Sequence, residues 1–445
     1  MKVLTCWPPQ APSYFNAGHH LPPFQIAAHL RRHRGDDVVA IDAGALNASW
    51  KRFADTLLQG RFDAVVIVND FDVVDGVGRA AEYTRALLPD AAILTTGRLS
   101  KQVPGFFERL PIAAIAASGD NEAAAADFLD WVEQGRPADA SVPGLHLRQA
   151  DGWRAPAVPG RLLPSEDWAL PDVTEIPYEA YDALYGKDQD KFCGVPGQRE
   201  LVVPAARGCP VGCSFCDVPA MQGLRDRRLP VARVVDYIES AFRVRDFDYV
   251  AFYAPTFTLN RRWMAELCEA LQATDRTYPW KCATTIHHLS DEMIAAMGAA
   301  GCVRISVGVE TLEDEGGAGL PILKRRTDAK LEAVAAACTA AGVELNCFVI
   351  VGLPGTTPAG TRRTIDFVRS LGARVRPTLY TDYGRMHETM SEAELSRFNR
   401  QILLQPSDAE VAGATPQELY ELLFGLDTYQ TPAPARIAAL ATPNA

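Results

Sequence analysis

Three cysteines constrain this chain more than any other feature: Cys209, Cys213 and Cys216, spaced CxxxCxxC within Arg-Gly-Cys-Pro-Val-Gly-Cys-Ser-Phe-Cys-Asp. Pro210 and Gly212 forbid a regular helix there, and the apolar stretch Leu201-Val202-Val203-Pro204 just before it reads as a strand that ends at the motif. The thiols therefore sit on a compact turn after a strand. Three thiolates so placed can hold zinc or an iron–sulfur cluster. A structural zinc site wants a fourth Cys or His at a matching spacing, and His287 and His288 lie far downstream. A 4Fe–4S cluster held by three thiolates leaves one iron without a protein ligand, which is useful when a cosubstrate must bind the metal directly. The other seven cysteines, Cys6, Cys193, Cys268, Cys282, Cys302, Cys338 and Cys347, are scattered and read as small buried hydrophobes, with Cys193 doubling as a candidate fourth thiol.

A length of 445 residues suggests two or three domains. The net charge of −11 argues against a broad phosphate-binding surface and hence against nucleic acid as a partner. The N-terminus lacks the apolar core of a secretory signal, and no window reaches the ~20 apolar residues needed to cross a bilayer, so a cytoplasmic protein without membrane attachment is expected.

Downstream of the cysteines, helical and strand patterns alternate from about residue 230 to 385. Strands are expected at Tyr249–Tyr253, Trp280–Thr285, Val303–Val309, Glu344–Val351 and Val375–Tyr380, separated by helical stretches such as Arg262–Ala273 and Asp328–Ala341. With the cysteine-bearing unit this makes six β/α units, a partial (β/α)6 barrel, whose ligand loops should follow the strand C-termini. The residues there are Pro255 and Thr256, Thr285, Glu310 and Thr311, and Gly352 and Pro354. A carboxylate at such a strand end can accept hydrogen bonds from an ammonium or from ribose hydroxyls; the plain alternative for Glu310 is a surface carboxylate. Gly352 allows close backbone approach to a flat ligand or simply a strand-to-helix turn.

The motif, with the aromatic Phe215 before its last cysteine, resembles the signature of the radical S-adenosylmethionine (radical SAM) superfamily. The resemblance implies a 4Fe–4S cluster on Cys209, Cys213 and Cys216 whose open iron chelates S-adenosylmethionine (SAM), and reductive cleavage of SAM to a 5′-deoxyadenosyl radical. It further implies that Phe215 packs near the adenine, that Glu310 and Thr311 serve the ribose or methionyl group, that the Gly352 loop serves the adenine, and that Lys324 pairs with the SAM carboxylate.

The first third of the chain reads as a separate doubly wound unit. Five strands are expected at Lys2–Cys6, Val38–Ile41, Ala64–Val68, Ala91–Thr95 and Ile112–Ala116, with helices between and after them. A ligand crevice would lie beyond their C-termini, near Trp7, Asn69, Asp70, Thr96, Gly97, Arg98, Ser118 and Gly119. The order of a Rossmann-like domain followed by the cluster domain resembles the cobalamin-binding class of radical SAM enzymes, which implies cobalamin as a third cofactor held by those residues. The Gly-Gly-Pro-His type of turn common after the fourth strand in that class reads Thr95-Thr96-Gly97-Arg98 here, and Arg98 either opposes a metal there or marks a domain that has lost its cofactor.

The expected organisation is a Rossmann-like domain over 1–135, a linker over 136–198, the barrel over 199–390 and a helical extension over 391–445, with Ser391 as an N-cap and a loosely ordered tail after Tyr429. Tyr380, Asp382, Tyr383 and Arg385 fall where the barrel mouth should close and are the candidate catalytic residues. The function so implied is cobalamin-dependent methyl transfer to a small-molecule substrate, as in natural-product biosynthesis, with electrons from a donor such as flavodoxin or ferredoxin. The alternative is a rearrangement, bond formation or transfer of another SAM-derived group such as aminocarboxypropyl, without cobalamin.

Overall fold

A computed structural model of the chain describes residues 1–9, 20–71, 73–185, 194–325, 328–398, 406–425 and 429–441. Cys193 lies outside the described residues. The chain forms two compact units: the first comprises Met1–Leu184, Asp217–Gly223 and Asp382–Ile402, and the second comprises Tyr185–Cys216, Leu224–Thr381 and Leu403–Ala445.

The first unit is built on a seven-stranded sheet of β1 (Lys2–Trp7), β2 (Asp37–Asp42), β3 (Ala64–Asn69), β4 (Ala92–Gly97), β5 (Ala114–Ala116), β6 (Leu145–Gln149) and β7 (Gly152–Arg154), in the order β2-β1-β3-β4-β5-β6-β7. The first five strands are parallel. β3 and β4 are buried along their whole length, as strands covered on both faces must be. Helix Pro22–Arg34 packs with Asn121–Glu133, and Trp50–Gly60 packs with Val74–Leu87, giving the two covering layers of a doubly wound fold. Strand order reverses between β1 and β3, so the ligand crevice of this topology opens beyond their C-termini.

The stretch 136–198, expected as a linker, carries regular structure. It contains the hairpin β6–β7, antiparallel to β5, and the helix Tyr178–Tyr185. Five expected strands thus become seven, because Leu145 and Leu147 point their side chains into the same core as β5.

The second unit holds β8 (Glu200–Val203), a short antiparallel pair of β9 (Ala206–Arg207) and β10 (Arg227–Arg228), and then β11 (Tyr249–Phe252), β12 (Trp280–Thr284), β13 (Cys302–Glu310), β14 (Glu344–Val351) and β15 (Arg374–Leu379). The six long strands run parallel in sequence order, β8-β11-β12-β13-β14-β15. The helices between them start within a few residues of the positions read from the sequence, and several carry side-chain caps: Asn260 accepts from Trp263 N, Ser290 from Met293 N and Thr357 from Gly360 N. This is the partial barrel.

The C-terminal extension is helical, and Ser391 forms a full capping box with Glu394. Where a loose end was expected, Ala433–Ala441 is a helix, its Ile437 is buried, and Arg436 donates to the carbonyls of Cys302 and Gly298. These contacts give the Ala-rich segment a core face that its composition does not advertise.

Candidate active site

The cysteine loop is fixed at its base. β9 and β10 pair across it, and Arg228 donates from its two terminal nitrogens to the carbonyls of Thr256 (2.8 Å) and Phe257 (2.7 Å), tying the loop to the end of β11. Within the loop Gly208 (φ +87°) and Gly212 (φ +71°) take left-handed conformations that flank Cys209 and precede Cys213. Cys216 N donates to Cys213 O at 3.1 Å, closing the turn. All three thiols are half-buried. Cys209 Sγ is 3.6 Å from Thr256 Oγ1. Burial pushes the Cys213 thiol up to about 11, against the opposing pull of Lys324.

Glu310 ends β13 on the same side. A bulge between Gly308 and Glu310 shifts the register with β14, and Glu310 is left at φ +63°, a strained conformation for a residue other than glycine. Its buried carboxylate accepts from Lys324 Nζ at 2.5 Å. Burial lowers the Lys324 pKa, but Glu310 and the cysteine sulfurs outweigh it and hold the ammonium above its ordinary value. Gly308 makes room for the pair: a Cβ there would lie 2.1 Å from Glu310 Oε1 and 2.8 Å from Lys324 Nζ. Lys324 Nζ also stands 5.6 Å over the ring of Phe215, which packs, as Tyr380 does, against the cluster of Leu320, Ile350 and Leu353. Thr285 and Thr311 are buried beside their strand ends. Gly352 is at φ +77° with Ala412 against it, and Pro354 is exposed.

The second unit thus gathers the three cysteines, Phe215, Thr256, Glu310, Lys324 and Tyr380 around the strand C-termini. Soft thiolates on one loop, a carboxylate–ammonium pair and an aromatic face suit a cluster with a charged nucleoside cosubstrate. Among the described residues no three His, Cys, Asp or Glu side chains converge as ligands of a single metal ion.

Asp382, Tyr383 and Arg385 belong instead to the first unit. There Tyr383 OH accepts from Arg98 at 2.7 Å, and the Arg98 guanidinium lies 4.8 Å from the Phe71 ring and 5.3 Å from the Tyr383 ring. Arg98 also donates to Asp217 and stands 3.8 Å from Asp70. Burial would lower its pKa, but the two carboxylates raise it.

The other strand-end residues of this unit bond within the chain. Asn69 donates to Thr95 (2.9 Å) and accepts from Ser100 N (3.0 Å), Thr96 donates to Asn121 (3.0 Å), and Ser118 accepts from Gly160 N (2.9 Å). Gly97 (φ +141°) lies flat on Asn69, and Gly119 lies on Gly160. Trp7 stacks on His20 at 3.9 Å. His20 Nδ1 and Tyr181 OH both reach Asp42 Oδ2 at 2.7 Å, a buried triad that the sequence reading did not find. Asp42 stands at the end of β2, where the strand-end rule pointed, but Tyr181 is too remote in sequence for any local signal.

Residues 203–368 match the model of the radical SAM superfamily. The chain carries a radical SAM domain. In this superfamily a 4Fe–4S cluster and SAM are the cofactors. This radical SAM chain is 24% identical over 317 residues to the anaerobic magnesium-protoporphyrin IX monomethyl ester cyclase of Rubrivivax gelatinosus, covering 69% of this chain and 53% of that protein. The chain therefore spans about half the length of the curated relative it matches.

Its fold is that of two cobalamin-dependent enzymes. The radical SAM methyltransferase TsrM of Kitasatospora setae, solved with tryptophan and a SAM analogue, aligns with a TM-score of 0.67 at 18% identity, over 86% of this chain and 73% of that one. OxsB with aqua-cobalamin and SAM aligns with a TM-score of 0.66 at 17% identity, over 99% and 61%. At these identities the likeness establishes the fold. No helix among the described residues is long and apolar enough to cross a membrane.

Proposed function

We propose that this radical SAM enzyme methylates a small-molecule substrate with the help of cobalamin held by its N-terminal domain, drawing electrons from a donor such as flavodoxin or ferredoxin. The observation that carries the reading is a doubly wound β2-β1-β3-β4-β5 sheet followed in the chain by a radical SAM barrel, in a fold that aligns over most of its length with TsrM and OxsB. The cluster and SAM supply a carbon-centred radical, and cobalamin supplies the methyl group.

The chain's own residues have separate duties. Cys209, Cys213 and Cys216 hold the cluster. Glu310 and Thr311 serve the ribose or methionyl group of SAM, Lys324 its carboxylate, and Phe215, Gly352 and Pro354 the adenine; Pro255, Thr256 and Thr285 line the same strand ends. Tyr380, Asp382, Tyr383 and Arg385 are the candidates for substrate contact.

The bare faces of Gly97 and Gly119 are covered by Asn69 and Gly160, so the glycines at these strand ends serve the chain's own close packing. The polar side chains there are spent on one another. A second reading, a domain that has lost its corrin and an enzyme that rearranges its substrate or transfers another SAM-derived group, is favoured by Arg98, whose guanidinium is held between two rings and two carboxylates at the end of β4.

Hydroxocobalamin added anaerobically before desalting decides between the two. Stoichiometric retention with a corrinoid absorption spectrum supports methyl transfer, and none moves the second reading ahead. Product analysis then separates 5′-deoxyadenosine from methylthioadenosine, the mark of aminocarboxypropyl transfer.

A further inference from the structure

The barrel strands β11–β14 are buried almost throughout, and the exceptions share one face. Lys281 of β12 meets Glu200 of β8 at 2.7 Å although β11 runs between the two strands, so the pair closes over the concave, inner side of the sheet, past the small Ala251. Arg304 of β13 is level with Lys281, Glu344 of β14 is level with Arg304, and these two pair at 3.2 Å. Two cations thus meet two carboxylates in the lower part of the interior.

Side chains alternate across a strand, so the inner face continues upward with Tyr253 just after β11, Ala283 on β12, Ser306 and Gly308 on β13, and Asn346 and Phe348 on β14. Solvent reaches one residue in each of β12, β13 and β14, and each time it is an inner one. Ala283 lies between buried Cys282 and Thr284, Gly308 between buried Val307 and Val309, and Phe348 between buried Cys347 and Val349. Tyr253 stays in the ladder, its N–H donating to Val203 O at 2.8 Å, and it is 38% exposed between buried Phe252 and Ala254. An interior packed with layers of Val, Ile and Leu would keep all four dry. The barrel is therefore hollow above its charged layer.

The hollow has a distinct lining. Gly308 lies under the Glu310–Lys324 pair, which bounds the space toward the strand C-termini. Below that pair, Ala283 and Ser306 stand side by side and form a strip of small side chains. Tyr253 on β11 and Phe348 on β14 flank the strip with aromatic rings. No inner position of β11–β14 at this height carries a charge, and Arg374 and Arg376 on β15 are buried and engaged by other groups of the chain. Aromatic faces favour another ring, small side chains let it approach closely, and an uncharged lining disfavours a charge that would lose its water.

We propose that this hollow receives a flat, uncharged ring system of the substrate, held by the rings of Tyr253 and Phe348 over Ala283. The assignment rests on the barrel being the radical SAM active site, and it sets the ring directly below the residues read as serving SAM.

The test uses the full-length, anaerobically reconstituted protein and equilibrium dialysis with 2-naphthol as the probe. Decahydro-2-naphthol has the same skeleton but is puckered and saturated, and 2-naphthoate is flat but anionic. 2-Naphthol should bind saturably, about three- to tenfold more tightly than the saturated alcohol and more tightly than the anion. Ala283→Leu, which fills the hollow from its small side, should weaken 2-naphthol binding by about tenfold or more. Phe348→Leu keeps apolar bulk and loses the ring, so it should narrow the preference for the flat alcohol. A cooperative melt shows that a variant folds, and the comparison of the three probes in the wild type needs neither variant. No saturable binding, equal affinity for the flat and the saturated alcohol, tighter binding of 2-naphthoate, or unchanged binding by a folded Ala283→Leu protein overturns the proposal. Iron content and SAM cleavage of the same wild-type sample are read separately, so failure of the radical SAM reading appears there and failure of the aromatic hollow in the dialysis.

Discussion

Glu310 holds a left-handed backbone conformation at the tip of β13 and from it accepts a hydrogen bond from Lys324 at 2.5 Å, so a strained residue and a buried ion pair share one position. Both side chains are almost fully enclosed, at 6% and 11% exposure. Removing one partner of such a pair leaves the other charge buried alone, which typically costs about 3–5 kcal/mol. Glu310→Gln is therefore expected to lower the melting temperature and to weaken SAM binding by at least tenfold, read by equilibrium dialysis. Gly308→Ala should reproduce the binding defect, because its methyl group would occupy the place of the Glu310 carboxylate oxygen. Unaltered SAM affinity in both variants would separate the ion pair from the cosubstrate.

Loss of a single sulfur should abolish the chemistry. Cys213→Ala is expected to yield a colourless protein after anaerobic reconstitution, with iron well below that of the wild type and no reductive SAM cleavage. Cys268→Ala, which removes a buried thiol on a barrel helix, should keep iron, colour and cleavage. Iron retained by the Cys213 variant at wild-type level would contradict the ligand assignment.

Arg98 ties three separate stretches of the first unit together through Asp70, Asp217 and Tyr383. Arg98→Met keeps the bulk and removes the charge. Amide hydrogen exchange in residues 382–398 should quicken in this variant, while the strands β1–β4 stay protected. Equal exchange in both proteins would show that the ring stack of Phe71 and Tyr383 holds the segment alone.

Acid should act on the first unit through Asp42. Burial raises its pKa, but His20, Tyr181 and the Ala45 amide together hold it below the ordinary carboxylate value. A carboxylate whose folded pKa is depressed contributes its full stability above the unfolded pKa, about 4, and loses it as the pH falls toward the folded value. Asp42→Asn is thus expected to be less stable than the wild type at neutral pH, with the gap narrowing as the pH drops below about 4. Thermal melts across pH 3 to 7 give the comparison.

Most of the architecture was legible in the sequence because the strands of the barrel show their outward apolar face plainly: Val303, Ile305, Val307 and Val309 alternate without interruption. The cysteine motif was legible from its spacing, Glu310 from the rule that ligands gather after parallel strands, and Lys324 only from the resemblance to radical SAM proteins. The hairpin β6–β7 was missed although Leu145 and Leu147 alternate with polar residues and Asp151-Gly152 is a turn signal, because the surrounding prolines suggested a linker. The charged inner face was hidden for another reason. Lys281, Arg304, Glu344 and Arg376 look solvent-facing one at a time, and only the strand register brings them together. The triad of His20, Asp42 and Tyr181 depends on contacts across 139 residues of chain, which no local pattern encodes.

The hairpin that continues the first sheet also determines how that sheet stops. Its outermost strand, β7, spans only Gly152–Arg154, and Trp153 beside it donates to Glu108 O and lies under Arg148. A neighbouring molecule seeking to add a strand on that flank finds too few free backbone groups to zip onto. The inserted ribbon thus works as a selvedge, closing that flank of the sheet to lateral pairing with another chain.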